Sequence, residues 1–172
     1  LLHNSFDLNK DYMQSLLKCI DDQAGSKVMV GSGDGLDLGG GAVLSFLSPS
    51  IDDIGSVSIL DNNSSSIVSM LSYGSHKFLL MADSPRSVER DISLRYRSEI
   101  EKQVTVLKAG HHGSDTSSSE EFIKLIRPTY TIISAGNDNK YGHPMKSVID
   151  ILRQYSEYII TTQVSGSINF IS

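Results

Sequence analysis

The stretch Val104-Thr-Val-Leu-Lys-Ala-Gly-His-His-Gly-Ser-Asp115 decides how the rest of this chain is read. Residues 104–107 form a short β-rich apolar run, which stops at Gly110 before two adjacent histidines, a second glycine and Ser114. A strand that ends on glycine and carries polar side chains on the next loop holds reactive groups on a rigid scaffold. Three of the five histidines, His111, His112 and His143, fall in the C-terminal half, and Asp83 closes another apolar run, residues 78–82. Imidazoles and a carboxylate at strand ends are the donors that a zinc- or manganese-type ion takes.

Downstream of that stretch, Ser117 or Ser118 followed three residues later by Glu120 or Glu121 is a capping-box pattern, predicting a helix through Ile126 that Arg127-Pro128 ends. A strand over 130–133, a polar loop over 135–143 and a helix from Pro144 follow, the helix placing Met145, Val148, Ile149, Leu152 and Tyr155 on one face. Strands over 158–160 and 167–170 close the chain. Upstream, residues 9–24 read as an amphipathic helix with Met13, Leu16, Leu17 and Ile20 on one face, and 27–30 as a strand. The glycines of 32–41 superficially resemble a phosphate cradle, but no helix pattern follows them, so they predict a hairpin leading into a strand over 42–47. Residues 51–58 form an acidic loop; 67–71 and 76–82 pair about Tyr73-Gly-Ser75; Ser84-Pro85 opens a helix, with serine as its cap and proline at its first position. Antiparallel strands followed by alternating strand and helix imply one α/β domain, a β-rich layer with helices on its face.

At 172 residues and 39% apolar content the chain suffices for one domain with a core. No run approaches the roughly 18 apolar residues of a membrane span. The single cysteine, Cys19, excludes an internal disulfide and a cysteine zinc site, and is expected to pack on its helix. A net charge of −5 gives no overall electrostatic footprint for tight, sequence-independent nucleic-acid binding, and the Lys and Arg residues of 86–102 alternate with acids as a solvated face would. A phosphodiester substrate stays open, because bound metal ions supply positive charge locally. Ser114 lies beside the histidines, but no Gly-x-Ser-x-Gly elbow presents a serine nucleophile.

Five motifs occur in one order: Asn62-Asn-Ser-Ser65, the apolar run ending in Asp83, Leu107-Lys-Ala-Gly-His-His-Gly-Ser114 with residues 117–122, Ile133-Ser-Ala-Gly136, and Asn139-Lys-Tyr-Gly-His-Pro144. Together with Gly33-Asp-Gly-Leu-Asp-Leu-Gly-Gly-Gly-Ala-Val43, this series resembles the metallo-β-lactamase-fold domain of ComEC-type DNA-uptake channel proteins over roughly residues 10–170. The resemblance implies an αββα sandwich, of which this chain is the C-terminal portion, with one or two zinc or manganese ions at the sheet edge. It implies metal ligation by Asp83 and His111, a catalytic or substrate-facing role for His112 and His143, and substrate contacts from Asn62, Asn63 and Ser114. The activity implied is two-metal hydrolysis of phosphodiesters, nuclease-like, with nucleic acid as partner. The alternatives are a non-catalytic module that keeps the fold without the metals, and an esterase of small phosphoester headgroups.

The family's early His-x-His-x-Asp-His motif has no counterpart here, since His3 and His76 stand alone. Residues 1–172 are therefore expected to be a single domain incomplete at its N-terminus, with an upstream segment or a partner chain completing the site. The family's domain is often attached to a membrane channel and faces outward, implying an extracytoplasmic place; with no anchoring stretch in this sequence, a cytoplasmic one is the alternative.

Overall fold

The computed structural model describes residues 2–3, 11–22, 28–50 and 63–171. In chain order the elements are β1 (Leu2–His3), α1 (Asp11–Asp22), β2 (Val28–Met29), β3 (Gly35–Gly39), β4 (Ala42–Ser48), β5 (Val68–Tyr73), β6 (His76–Leu80), α2 (Arg86–Arg95), α3 (Arg97–Ile100), β7 (Val106–Lys108), α4 (Glu120–Ile126), β8 (Tyr130–Ile133), α5 (Lys146–Tyr155), β9 (Tyr158–Thr161) and α6 (Thr162–Ser165). A 3-10 turn, Gly110–Gly113, lies between β7 and α4.

Seven strands form one sheet in sequence order, β3 to β9. The first four are antiparallel, and from β6 onward each pairs parallel with the next. The switch follows from the connections. Gly39, Gly40 and Gly41, all at positive φ, turn β3 into β4, and Gly74 at φ 57 opens the two-residue loop between β5 and β6. The later strands are joined through helices, which parallel pairing requires. β1 and β2 form a separate parallel pair.

Cross-strand register sorts the sheet into two faces. Met70, Leu79 and Leu107 lie in one row, and they pack with Leu47 and Ile133 against Ile92, Phe122, Ile123, Ile126, Val148 and Leu152 from α2, α4 and α5. Burying such side chains contributes roughly 1.5–3 kcal/mol each. The opposite face carries another apolar row, Leu36, Leu44, Leu71, Phe78, Val106, Tyr130 and Tyr158, one residue from each strand. Phe170 packs edge-on against Phe78 and Tyr130 of that row, whereas Leu36 and Tyr158 at its ends are exposed.

The expected α/β class and nearly every expected element are present, with boundaries displaced by one to a few residues. Four local expectations are corrected. Ser84 does not cap α2: Pro85 is the N-cap residue, and the buried Ser84 hydroxyl has no hydrogen-bond partner among the described residues. Neither Ser117 nor Ser118 forms a capping box. Ser119 is the N-cap of α4, Ser117 Oγ donates to Ser84 O at 2.7 Å, and the N–H groups of Ser118 and Ser119 donate to Glu89 of α2. Residues 167–170 pair with no strand among the described residues, and Phe170 is instead seated on the two rings. Cys19 is exposed on α1 rather than packed. The side chains of Met13, Leu16 and Leu17, the loop 51–58 and Asn62 lie outside the described residues. Among the described residues no helix is long and apolar enough to cross a membrane.

Candidate functional site

The carboxyl ends of the parallel strands β6, β7 and β8 deliver Asp83, the His111–His112 pair and the loop carrying His143 to one edge of the sheet. That is where open α/β sheets place their ligands. β5 runs antiparallel to β6, so the turn beginning at Asn63 opens at the same edge. Asn63 O accepts from Ser66 N–H at 3.1 Å, and no hydrogen bond joins Asn63 to the histidines among the described residues.

The turn after β7 is tightly wound. His111 (φ 45, ψ 44) and His112 (φ 57, ψ 22) are consecutive left-handed residues, a conformation that costs a non-glycine residue about 1–2 kcal/mol. The surroundings fix it. His111 N–H donates to Ala82 O at 3.0 Å, tying this turn to the end of β6, and Ser114 N–H donates back to His111 O at 2.9 Å. Met145 N–H donates to Gly113 O at 2.9 Å, which brings the segment after His143 onto the same turn.

The two histidines face different partners. His112 Nδ1 is 2.7 Å from Ser134 O, so that nitrogen carries the proton and donates it to the carbonyl. Its Nε2 stands 3.5 Å from Asp83 Oδ1. His111 Nδ1 lies 3.1 Å from Thr116 Oγ1, and its ring sits 5.9 Å from that of His143. Asp83 is thus paired with His112, and the resemblance's preferred ligand, His111, faces Thr116 and His143. Ser114 is buried, and its hydroxyl is engaged with Thr116 Oγ1 at 3.0 Å, so within this turn it holds the residue that orients His111.

His143 is half-buried, with Tyr141 stacked on its ring at 5.8 Å, and its Nδ1 is buried without a hydrogen-bond partner among the described residues. Burial, then the neighbouring His111 and His112, hold its pKa below the usual histidine value, with Asp115 opposing. A cleft of about 290 Å³ opens here, lined by His112, Ser134, Gly136, Asn139, Tyr141 and His143.

Two further residues shape the site. Lys108, the charged member of the run 104–109, is half-buried and donates from Nζ to Ala82 O at 3.1 Å. Burial lowers its pKa, and the Asp83 carboxylate opposes that shift. A lysine inside an apolar strand is a signal that the sequence carries openly. Asn139 clasps the loop around His143: its Oδ1 accepts from His143 N–H at 2.8 Å and its Nδ2 donates to His143 O and Gly136 O at 2.7 Å each. The four-residue spacing of Asn139 and His143 is the reach of that clasp.

The donor chemistry suits a divalent ion: a carboxylate beside an imidazole whose other nitrogen is anchored to a carbonyl, and one buried nitrogen without a partner. The number of donors does not suffice. Among the described residues no group of three or more His, Cys, Asp or Glu side chains could hold a metal ion, whereas zinc sites take three or four protein ligands.

No family model matches the chain. It is similar to curated competence and recombination proteins: 34% identical over 108 residues to ComE operon protein 3 of Bacillus subtilis (63% of this chain, 14% of that protein), and 33% over 111 residues to competence protein ComA of Neisseria gonorrhoeae (64% and 16%). Recombination protein 2 of Haemophilus influenzae is 36% identical over 107 residues (62% and 13%). The chain spans about a seventh of the length of these relatives, and its similarity to them is a similarity to one stretch of proteins named for competence and recombination.

Proposed function

We propose that this chain is part of a metal-dependent hydrolase that cleaves phosphodiester bonds, with DNA or another nucleic acid as substrate. One observation carries the reading: His112 is anchored through Nδ1 to Ser134 O and holds Nε2 3.5 Å from Asp83 Oδ1, at the carboxyl ends of parallel strands. Metal-ligating histidines are characteristically held in this way. The fold inferred with it is a metallo-β-lactamase-like αββα sandwich, the apolar row from Leu36 to Tyr158 serving as the surface for a second sheet. Donors from outside the described residues, or from a partner chain, complete the shell. The names of the relatives, competence and recombination, support nucleic acid as the substrate.

Asp83 and His112 are the residues that would hold the metal, with His111 as the further candidate. Zinc or manganese bound there supplies positive charge to the phosphate and lowers the pKa of a bound water. The remaining work falls to the chain itself. Lys108 sets an ammonium near Asp83 and adds cationic character for a phosphate oxygen. His143, neutral near pH 7, offers a hydrogen bond to the phosphate or the leaving group. Thr116 and Asn139 keep His111 and the His143 loop in place.

The shortage of donors among the described residues favours a second reading, a non-catalytic module. Metal analysis of the full-length protein after manganese or zinc loading, with single-stranded DNA and a small chromogenic phosphodiester as substrates, tests both. The hydrolase predicts up to about two ions per chain and faster cleavage of DNA, both lost in Asp83→Ala and His112→Ala. Folded protein that retains no metal and leaves both substrates intact is the module. Preference for the small substrate is the headgroup esterase.

A further inference from the structure

A second concavity opens in the helix layer. It is a groove of about 830 Å³ between α2–α3 and α4, and six cations line it: Arg86, Arg90, Arg97, Lys102, Lys124 and Arg127. Glu101 and Glu121 are its carboxylates, an excess of four positive charges in a chain whose formal net charge is −5. Most charged side chains of 86–102 are exposed, as the alternation implies, but they are not mixed at random. The fold turns Arg86, Arg90, Ser93 and Arg97, spaced four, three and four residues apart, onto the groove side. Asp91 is occupied by Arg95 outside the groove.

Among the described residues, three of the six cations are engaged and three are not. Glu101 is taken by Arg97, which it meets at 3.1 and 3.2 Å. The Arg127 guanidinium lies over the Tyr155 ring at 5.9 Å, and Arg86 faces the buried Glu89. Arg90, Lys102 and Lys124 are exposed and form no ion pair among the described residues. Cations left without partners along one groove raise the local concentration of an anion.

The geometry points to a nucleic-acid strand held along this groove by its phosphates. The cations are strung along the groove instead of converging on one point, which suits a polyanion better than a single phosphate. The ten-residue α2 alone is about 15 Å long, a span over which one strand of a duplex presents about four phosphates. Phe122, the aromatic residue of the lining, is buried, so no platform is offered for stacking bases. Such contacts fix position and carry no sequence information. One end of the groove abuts the candidate site: Arg86 follows Asp83 by three residues, and its N–H donates to Thr116 O at 2.9 Å. The inference deepens the phosphodiester reading by adding a track for the strand, and it rests on that reading only for what happens at the track's end.

The test is fluorescence anisotropy of a labelled mixed-sequence oligonucleotide in EDTA, so that binding is read without metal or cleavage. The variants are Arg90→Glu/Lys124→Glu, and Lys18→Glu on α1 as a control, each checked for fold by circular dichroism. The groove reversal is expected to weaken binding at least tenfold, and to flatten the dependence of log Kd on log salt by about 1.4 for a single strand. Lys18→Glu is expected to bind as wild type, and reading the binding in EDTA separates this inference from the hydrolase reading. Undiminished binding by the reversal, or no binding by wild type at low salt, overturns it. So does displacement of the DNA by polyglutamate at lower charge concentration than by unlabelled DNA, which makes the groove a seat for acidic protein.

Discussion

The carboxylate of Glu89, on α2, accepts three hydrogen bonds at the start of α4: the N–H of Ser118, and the N–H and hydroxyl of Ser119, the latter two at 2.9 and 2.7 Å. A residue 30 positions away thus does the work of a helix cap. It also fixes the loop that carries Thr116 and so the ring of His111.

Glu89→Ala leaves two backbone donors without an acceptor in a place that water reaches poorly. An unsatisfied buried donor costs about 1–3 kcal/mol, so the variant is expected to lose about 3 kcal/mol or more in urea denaturation. A change under 1 kcal/mol would mean that the loop rearranges to find other partners, and that Glu89 is not what holds it.

Glu89 also sets a pH dependence. Burial is the dominant influence and raises its pKa above the usual 4.5, against the donors of Ser119 and Ser118 and the charge of Arg86. The folded state then binds this proton more tightly than the unfolded chain. Its contribution to stability is present at low pH and falls as pH rises from about 4.5 through the folded pKa. Wild type is accordingly expected to lose stability relative to Glu89→Gln across that window. The slope of the difference is diagnostic, because the glutamine amide shifts the offset by itself. A difference that rises with pH would contradict the assignment.

Gly113 couples the histidine turn to the segment after His143. A Cβ at this position would lie 2.7 Å from Pro144 Cβ, and its φ of +81 is strained for any L side chain. Gly113→Ala must push Pro144 away, and Asn139 carries the displacement through the loop by its clasp on His143. About 2–3 kcal/mol of destabilisation is expected, from backbone strain together with overpacking, along with shifted His143 ring resonances in NMR. A variant as stable as wild type, with His143 unmoved, would show the contact to be soft.

The placement of the candidate residues was legible because strand ends announce themselves. Asp83 after its apolar run, and the histidines between two glycines, could be placed at one edge of a sheet from the sequence alone. What escaped was set by long-range geometry. Nothing local says that His112 rather than His111 meets Asp83, because two consecutive left-handed residues reverse the side on which each ring emerges. The serine run 117–119 resembled a local cap since Glu120 and Glu121 follow it, yet its partners are Ser84 and Glu89 across the helix layer. The cationic groove was hidden in the same way. Charge order along 86–102 is mixed, and only helical winding beside α4 gathers the arginines. Net charge averages such a groove away.

The strain in the turn yields the last prediction. His112 sits at φ 57, ψ 22, where a side chain costs about 1–2 kcal/mol and glycine costs little. Alanine bears the same backbone penalty as histidine, so His112→Ala retains the strain, and both variants lose the bond to Ser134 O and the pairing with Asp83. His112→Gly is therefore expected to be more stable than His112→Ala by about 1 kcal/mol, after the extra entropy that glycine gives the unfolded chain, although the two are equally impaired at the site. Elsewhere on an ordered turn the order reverses, with glycine the less stable. Thermal unfolding of the pair decides the matter. If the alanine variant is the more stable, the left-handed conformation of His112 is not present in solution, and with it goes the geometry that aims its Nε2 at Asp83.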